Sequence, residues 1–350
     1  MKTLQRLYMK DFFRLLFLIA AGLSIIFSIV EMINRIDDFP SMSSLVLYSL
    51  FNTPKFFIYL LPMSVLICSL FTFGQAFRRR EIMAIKAAGG RLRTLFYPFI
   101  AAGIILSIVS FLAGEILVPY FSKQAIELKK RAEGKGEQLA FNGGSLWLKS
   151  KDGSPVKIDL YIVDKKIAKG IDIFLFGKEF LKERIIADRA FWNGKTWILE
   201  DITKYDIETG KIEKLRRMNY PGLESPDLFS EEIRKPDEMR LFELYRYIQR
   251  LKDAGFQNKR LIVDLNSKIS FPLINIFMMM LGISLSAREK LGGGLFSAGL
   301  GLLISLFYWF GYTFMLSMGY AGIIPPYVSA WTIPFVFAVF AVYLFVKIPE

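Results

Sequence analysis

Five runs without a single Asp, Glu, Lys or Arg constrain this chain more than any other feature: Leu15–Val30, Phe56–Phe77, Thr94–Gly114, Ile269–Ala287 and Leu291–Val346. A bilayer core of ~30 Å takes about 20 apolar residues as a helix. The second, third and fourth runs hold 22, 21 and 19 residues. The last holds 56 and is too long for one crossing. It divides at Gly319-Tyr-Ala-Gly322 and Pro325-Pro326, giving spans over about Leu291–Met318 and Tyr327–Val346. The first run is slightly short and extends through Met32 and Ile33. It also has the form of a signal peptide after Lys2, Arg6, Lys10 and Arg14. No small-x-small cleavage site follows it, so it reads as an uncleaved first span. Six spans result.

Between the third and fourth spans the chain turns polar and strand-like. The organisation reads as residues 1–114 with three spans, 115–268 as an inserted β domain with flanking helices, and 269–350 with three more spans. Val156, Ile158, Leu160 and Ile162 alternate with Lys157, Asp159 and Tyr161, the period of a half-buried strand. Ile171–Phe176, Leu181–Asp188, Thr196–Tyr205 and Lys211–Arg217 are further candidate strands. Asp152-Gly153 and Asn193-Gly194 signal hairpins, because positive φ suits these residues. Short strands at this spacing predict a sandwich or jelly roll. A helix is expected next, with Leu241, Leu244, Tyr245, Ile248 and Leu251 on one face and Arg240, Glu243, Arg246, Arg250 and Lys252 opposite, stopped at Gly255. The expected fold class is an α-helical membrane protein with six transmembrane helices and an inserted β domain.

Lys and Arg are kept on the cytoplasmic side of membrane proteins. By parity the N-terminal arm, the loop with Arg78, Arg79, Arg80, Lys86, Arg91 and Arg93, the loop with Arg288 and Lys290, and Lys347 share one side. Both termini are therefore expected in the cytoplasm and the insert outside it. The net charge of +13 then divides into +9 for these cytoplasmic segments, −1 for Glu31–Lys55 and +5 for the insert. Much of the excess is topological and does not point to nucleic acid. The chain has no His, which removes the usual catalytic base and the commonest metal ligand. A single cysteine, Cys68, can form neither an intrachain disulfide nor a zinc site. No catalytic residue, metal or cofactor is expected in this chain.

Gly194-Lys195-Thr196 has the ending of a phosphate-binding loop, but Arg189 stands where its first glycine belongs. Gly292-Gly293-Gly294 lacks a preceding strand and reads as a helix start. Arg78–Gly90 reads as a short amphipathic cytoplasmic helix ended by glycine, with Ile82 and Ile85 on one face and Arg78 and Glu81 near one another by helical spacing. It serves either as a positive-inside anchor or as a docking helix for a cytosolic partner. Beyond the third span, Lys123, Lys129, Lys130 and Arg131 run against the positive-inside trend and suit an anionic headgroup, or form a solvated face with Glu127 and Glu133. Glu31, Arg35, Asp37 and Asp38 close the first span. Phe296, Phe307, Phe310 and Phe314 offer a wide apolar wall on the fifth.

Six segments now fall into one order. They are Thr53-Pro-Lys-Phe with Leu60-Leu-Pro-Met63, Arg80–Gly89, Gly114-Glu-Ile-Leu-Val-Pro119, Gly144-Ser-Leu-Trp147, Ser267-Lys-Ile-Ser-Phe-Pro272 and Gly322-Ile-Ile-Pro-Pro326. In this order and spacing the chain resembles the LptF/LptG permeases of the lipopolysaccharide exporter over nearly its whole length. The resemblance implies an inner-membrane subunit with a periplasmic β-jellyroll. It implies pairing with a second LptF/LptG-type permease, a cytosolic LptB-like ATPase dimer that binds ATP and Mg, and an LptC-like periplasmic bridge protein. Lipopolysaccharide would enter a membrane cavity and rise through the jellyroll. Arg80, Glu81, Ile82 and Ile85 would couple to the ATPase. Arg35, Lys123, Lys129 and Lys130 would meet the headgroup, and Phe307, Phe310 and Phe314 would line the cavity. Some LptG members carry a lysine at the end of the first span, where this chain has Glu31 and then Arg35; the general pattern leans to LptG. Two other classes stay open on the residues alone. One is a membrane-embedded enzyme acting on lipid or glycan through Glu115, Glu31 or Asp37. The other is a scaffold whose β domain binds a partner.

Overall fold

Helices in this chain end where backbone chemistry stops them, which is often well past the end of an apolar run. The computed structural model describes residues 2–348 apart from 91, 133–138, 143–144, 151–152, 163–165, 177–179, 208, 224–225, 227–237, 254–257 and 288–293. The expected stop at Gly255, Asp152 of the first hairpin signal, Gly292 and Gly293, and Arg288 and Lys290 lie outside the described residues. So do the side chains of Lys130, Arg131 and Arg250. The chain divides into a helical unit, Met1–Glu133, Pro236–Leu244 and Asn258–Glu350, and a β unit, Gly134–Lys235 and Tyr245–Gln257.

In the helical unit α1 is Lys2–Asn34, α2 Met42–Arg78, α3 Glu81–Ala87, α4 Leu92–Ala132, α6 Lys259–Ser286, α7 Gly294–Tyr320 and α8 Pro326–Val346; α5, Leu241–Asp253, has its first residues in this unit and the rest, from Tyr245, in the β unit. Six of these are long and apolar enough to cross a membrane. The Ser41 side chain caps α2 by accepting from Ser44 N, and the Asn258 side chain caps α6 by accepting from Arg260 N. The expected boundaries at 114/115 and 268/269 therefore fall inside α4 and α6. Charge changes the solvent a helix runs through; it does not break the helix. At ~1.5 Å per residue the 41 residues of α4 span about 60 Å, twice a bilayer core. Its last turns carry Lys123 and Lys129. Between α7 and α8 the chain turns at Gly322, whose φ is +74°, with Ile323 N donating to Met318 O at 3.1 Å. That is the break expected from Gly319–Gly322.

The helices α2 and α6 form the centre: 61% of each apolar window is buried, against 22% for α1 and α7. Phe12, Phe73, Phe96 and Phe99 are fully buried, with the Phe73 and Phe99 rings edge to face at 4.7 Å. Close approach rests on small residues, as membrane helices require. A Cβ on Gly103 would stand 3.3 Å from Ile276 Cα, one on Gly301 3.2 Å from Ile67 Cα, and one on Gly282 would overlap Ser69 Oγ. Prolines inside α2, α4, α6 and α8 release carbonyls that need new donors. One is found: Pro98 cannot bond Thr94 O, and Gln5 Nε2 on α1 donates to it at 2.8 Å.

The β unit contains β1 Leu139–Asn142, β2 Ser145–Lys149, β3 Pro155–Ile162, β4 Ile167–Phe176, β5 Leu181–Trp192, β6 Trp197–Asp206 and β7 Ile212–Tyr220. They form one antiparallel sheet in sequence order. This up-and-down order differs from the Greek-key order of a jelly roll. A short turn such as Asn193–Thr196 returns each strand beside the one before it. A single interior still forms, because the sheet changes face along one line. Ala168 is buried, then Ile171 and Ile173; Ile185 and Ala187, then Ala190; Leu199, then Ile202. β3 keeps Val156, Ile158, Leu160 and Ile162 all buried, as its alternation predicts, with Tyr161 buried as well. The strands β4, β5 and β6 each shift their buried parity once. The register steps over the same line, passing Asp159 opposite Gly170, Asp188 opposite Asp201, and Arg216. Gly170 and Asp201 there adopt φ of +63° and +52°. The sheet folds along this line, and both halves turn apolar side chains into one core around the fully buried Trp197. In α5, Leu251 is buried as expected, while Tyr245 faces outward.

Candidate functional site

The turn from α2 into α3 is built by one residue in left-handed geometry. Arg80, with φ +56°, ends the α2 hydrogen bonding and starts α3, whose first turn carries Glu81. The Tyr8 hydroxyl on α1 donates to Glu81 Oε2, and Arg79 stands 4.0 Å from Glu81 Oε1. Gly89, at φ +75°, stops α3, with Gly90 N donating to Ile85 O at 2.9 Å. Ile82 is fully buried in the helical core and Ile85 packs against it. These two side chains hold α3 to its own protein. The outward face carries Met83, Ala84 and Ala87, beside the exposed Arg78, Arg79 and Arg80. Sequence periodicity marked the apolar face; it did not say that the face was already occupied.

At the opposite end of α1, residues far apart in sequence converge. Arg35 Nε donates to Glu31 at 2.9 Å and Nη1 to Asp38 at 3.0 Å. Lys129 Nζ, delivered by the length of α4, lies 3.4 Å from the same Asp38 oxygen. Phe39, Leu45, Tyr48 and Ala125 form a small apolar cluster beneath. The hydrogen bond from Arg35, then the Lys129 charge, holds the Asp38 carboxyl below its usual range. The hydrogen bond to Glu31 raises the Arg35 guanidinium further above its usual value. Lys123 is exposed one and a half turns earlier on α4. Of the expected headgroup cations, Arg35 and Lys129 thus meet through a carboxylate that the sequence had marked only as an interface charge.

Phe307, Phe310 and Phe314 are 70%, 62% and 60% exposed on one stripe of α7, with Phe296 also outward. The opposite stripe buries Tyr308 and Tyr312, stacked at 5.7 Å. Two polar links were not expected from sequence. Tyr320 donates to Asp264 at 2.6 Å, and Glu115 Oε2 accepts from Leu241 N at 2.8 Å. The second joins Glu115 to the start of α5. In the Gly194-Lys195-Thr196 segment, the backbone N–H groups of Lys195 and Thr196 donate to Asn193 Oδ1 at 2.9 and 2.8 Å. They are used by the hairpin and do not point at a phosphate. Among the described residues no group of three or more His, Cys, Asp or Glu is placed to hold a metal.

Six helices long and apolar enough to cross a membrane, with a β unit inserted between the third and fourth, define a multi-pass membrane protein with an inserted β domain. The sequence model for the family described as Lipopolysaccharide export system permease LptF/LptG matches residues 6–347, and the chain belongs to that family. It is 25% identical over 249 residues to the lipopolysaccharide export system permease protein LptG of Escherichia coli (strain K12), covering 68% of this chain and 67% of that protein. It is 23% identical over 270 residues to the protein of the same name from Haemophilus influenzae, covering 75% and 74%.

Proposed function

We propose that this chain is a permease subunit that takes lipopolysaccharide from the outer leaflet of the inner membrane and passes it through its β unit toward the outer membrane. The family match over residues 6–347 carries this reading. The chain itself hydrolyses nothing. Energy comes from an LptB-like ATPase dimer that binds ATP and Mg and docks on α3 through Met83, Ala84, Ala87 and the flanking arginines. A second LptF/LptG-type permease completes the membrane cavity, and an LptC-like protein receives the lipid. Both termini lie in the cytoplasm and the β unit in the periplasm, in accord with the basic residues of Arg78–Arg93.

Arg35, Lys123 and Lys129 face the lipid phosphates, and the exposed stripe of Phe307, Phe310 and Phe314 lines the path of the acyl chains. The cluster at Arg35 is nearly neutral as folded, with Glu31 and Asp38 against Arg35 and Lys129. A phosphate therefore binds by exchange, taking cations from carboxylates that can return to water. The folded sheet supplies an apolar interior on the far side of the membrane.

Affinity purification in mild detergent, with mass spectrometry of bound proteins and lipids, tests the reading. An ATPase subunit and lipopolysaccharide should co-purify, and the chain purified alone should show no ATPase activity. Turnover of a lipid by the isolated chain, or recovery of neither ATPase nor lipopolysaccharide, would overturn it.

A further inference from the structure

We infer that the end of α1 remote from Arg35 forms, with α4, a binding site for an anionic glycerophospholipid. An open groove of about 380 Å³ lies there, lined by Gln5, Arg6, Met9, Lys10, Phe13 and Pro98. Its shape follows from Pro98. The proline leaves Thr94 O without its helical donor, and Gln5 reaches across to supply one at 2.8 Å. That bond seats α1 against α4 and leaves a hollow beside the pyrrolidine ring.

The chemistry around the hollow is divided as an anionic lipid is divided. Arg6 and Lys10 are four residues apart, so they stand one turn above each other on the same face. Both are exposed, and among the described residues neither has a hydrogen bond or ion pair. Phe13 and Phe17 continue the same stripe toward the membrane centre, 41% and 70% exposed. Asp11 points roughly a quarter-turn or more away from Lys10 by helical spacing and does not neutralise the pair. Two cations at the membrane edge with apolar surface directly beneath them match a phosphodiester with two acyl chains. Basic pockets between membrane helices on the cytoplasmic side recognise such headgroups. The occupant is a phospholipid of the leaflet on the side of Arg6. That sidedness rests on the orientation proposed above; the site itself does not rest on lipopolysaccharide transport.

The test uses the full chain in nanodiscs of phosphatidylcholine doped with phosphatidylglycerol, followed by native mass spectrometry of retained lipid. The wild type should keep phosphatidylglycerol in preference to phosphatidylcholine. The double variant R6Q/K10Q should weaken that retention roughly thirtyfold, about 1 kcal/mol per cation at about 1.4 kcal/mol per tenfold, while R6K/K10R keeps it. A photocrosslinking benzoylphenylalanine at Phe13, in an otherwise native chain, should give a lipid adduct with the mass of the anionic species. This arm decides the matter even where the double variant does not fold. Equal phosphatidylglycerol retention by wild type and a folded R6Q/K10Q, or an adduct to polypeptide in the assembled complex, would overturn the site. Because both nanodisc leaflets hold the same lipids, retention is independent of orientation. Labelling of a cysteine introduced at the N-terminal arm reads orientation separately.

Discussion

Replacing Glu81 tests two roles of one carboxylate, and Tyr8 separates them. Tyr8 is 5% exposed and its hydroxyl donates to Glu81, whose side chain is 38% exposed. In Glu81→Ala the hydroxyl is left inside the protein without an acceptor, at a cost of about 1–3 kcal/mol. In Tyr8→Phe the carboxylate keeps access to water, so the loss is the net worth of a partly screened bond, about 1 kcal/mol. The double variant removes donor and acceptor together. It should lose less than the sum of the two, with a coupling energy of about 1 kcal/mol. Unfolding of the three variants in mixed micelles measures this cycle. ATPase recovery per folded chain measures the other role. If Glu81 contacts the ATPase, Tyr8→Phe should dock nearly normally, and the double variant should dock as poorly as Glu81→Ala. Charge reversal to Lys should dock worse still, since it adds repulsion. If docking returns in the double variant along with stability, Glu81 serves only to hold α3 to α1, and the coupling role is refuted.

Other perturbations have equally definite outcomes. Asp38→Asn should remove one carboxylate contact from each of Arg35 and Lys129, leaving Arg35 on Glu31, and raise lipopolysaccharide bound per chain, while the triple change of Lys123, Lys129 and Lys130 to Gln lowers it; lipid mass spectrometry that finds both unchanged removes the headgroup role. The Asp38 carboxyl is depressed by Arg35 and Lys129, so its pairing is complete above its unfolded value and is lost only as pH falls below about 4. Asp38 should accordingly add no pH dependence to lipid capture from neutral pH down to that range, where the change is set by the lipid phosphates, whose second pKa is about 6. Gly282→Ala should destabilise the helical unit by about 1–3 kcal/mol in micelle unfolding, and by less in a Ser69→Gly background, because the new methyl overlaps Ser69. Asp201→Gly should stabilise the β unit by about 1 kcal/mol, since Asp holds φ +52° there. Gly170→Ala, at φ +63° and against Asp159, should destabilise it. Hydrogen-exchange protection of β4–β6 in the full chain reads both.

The six spans were legible because hydrophobic length is a local property, and so were the glycine and proline breaks after α7. Strands β3 to β7 were legible from alternation and the Asn193-Gly194 turn. Strands β1 and β2 were passed over, although Asn142-Gly143 lies between the apolar groups Leu139–Phe141 and Leu146–Leu148 and is the same hairpin signal. The fold line of the sheet was not legible. Period-two reasoning assumes that a strand keeps one face inward, and Gly170 and Asp201 break that assumption through backbone angles that no pattern of side chains announces. The same holds for Ile82. An amphipathic helix states that one face is apolar, and the partner of that face depends on what the rest of the chain brings to it. Here α2 and α4 pack against it.

Charge clusters add a further lesson, because their function depends on what neutralises them. Lys129 looked like an exposed cation beyond the third span, and Arg35 like the mark of an interface. Their meeting at Asp38 depends on α4 continuing through Pro119 to Ala132, and on the apolar cluster of Phe39, Leu45 and Tyr48 that holds the α1–α2 turn against it. The result is a set of cations held in place by carboxylates. Those carboxylates position Arg35 and Lys129 at little cost, since all four groups remain partly solvated. They also set a threshold: a single weak anion gains little by displacing Asp38, whereas a lipid bearing more than one phosphate can engage both cations at once. The cation pair at Arg6 and Lys10 has no such carboxylates among the described residues. On this reasoning the first cluster suits a ligand that must bind and leave, and the second a lipid that stays.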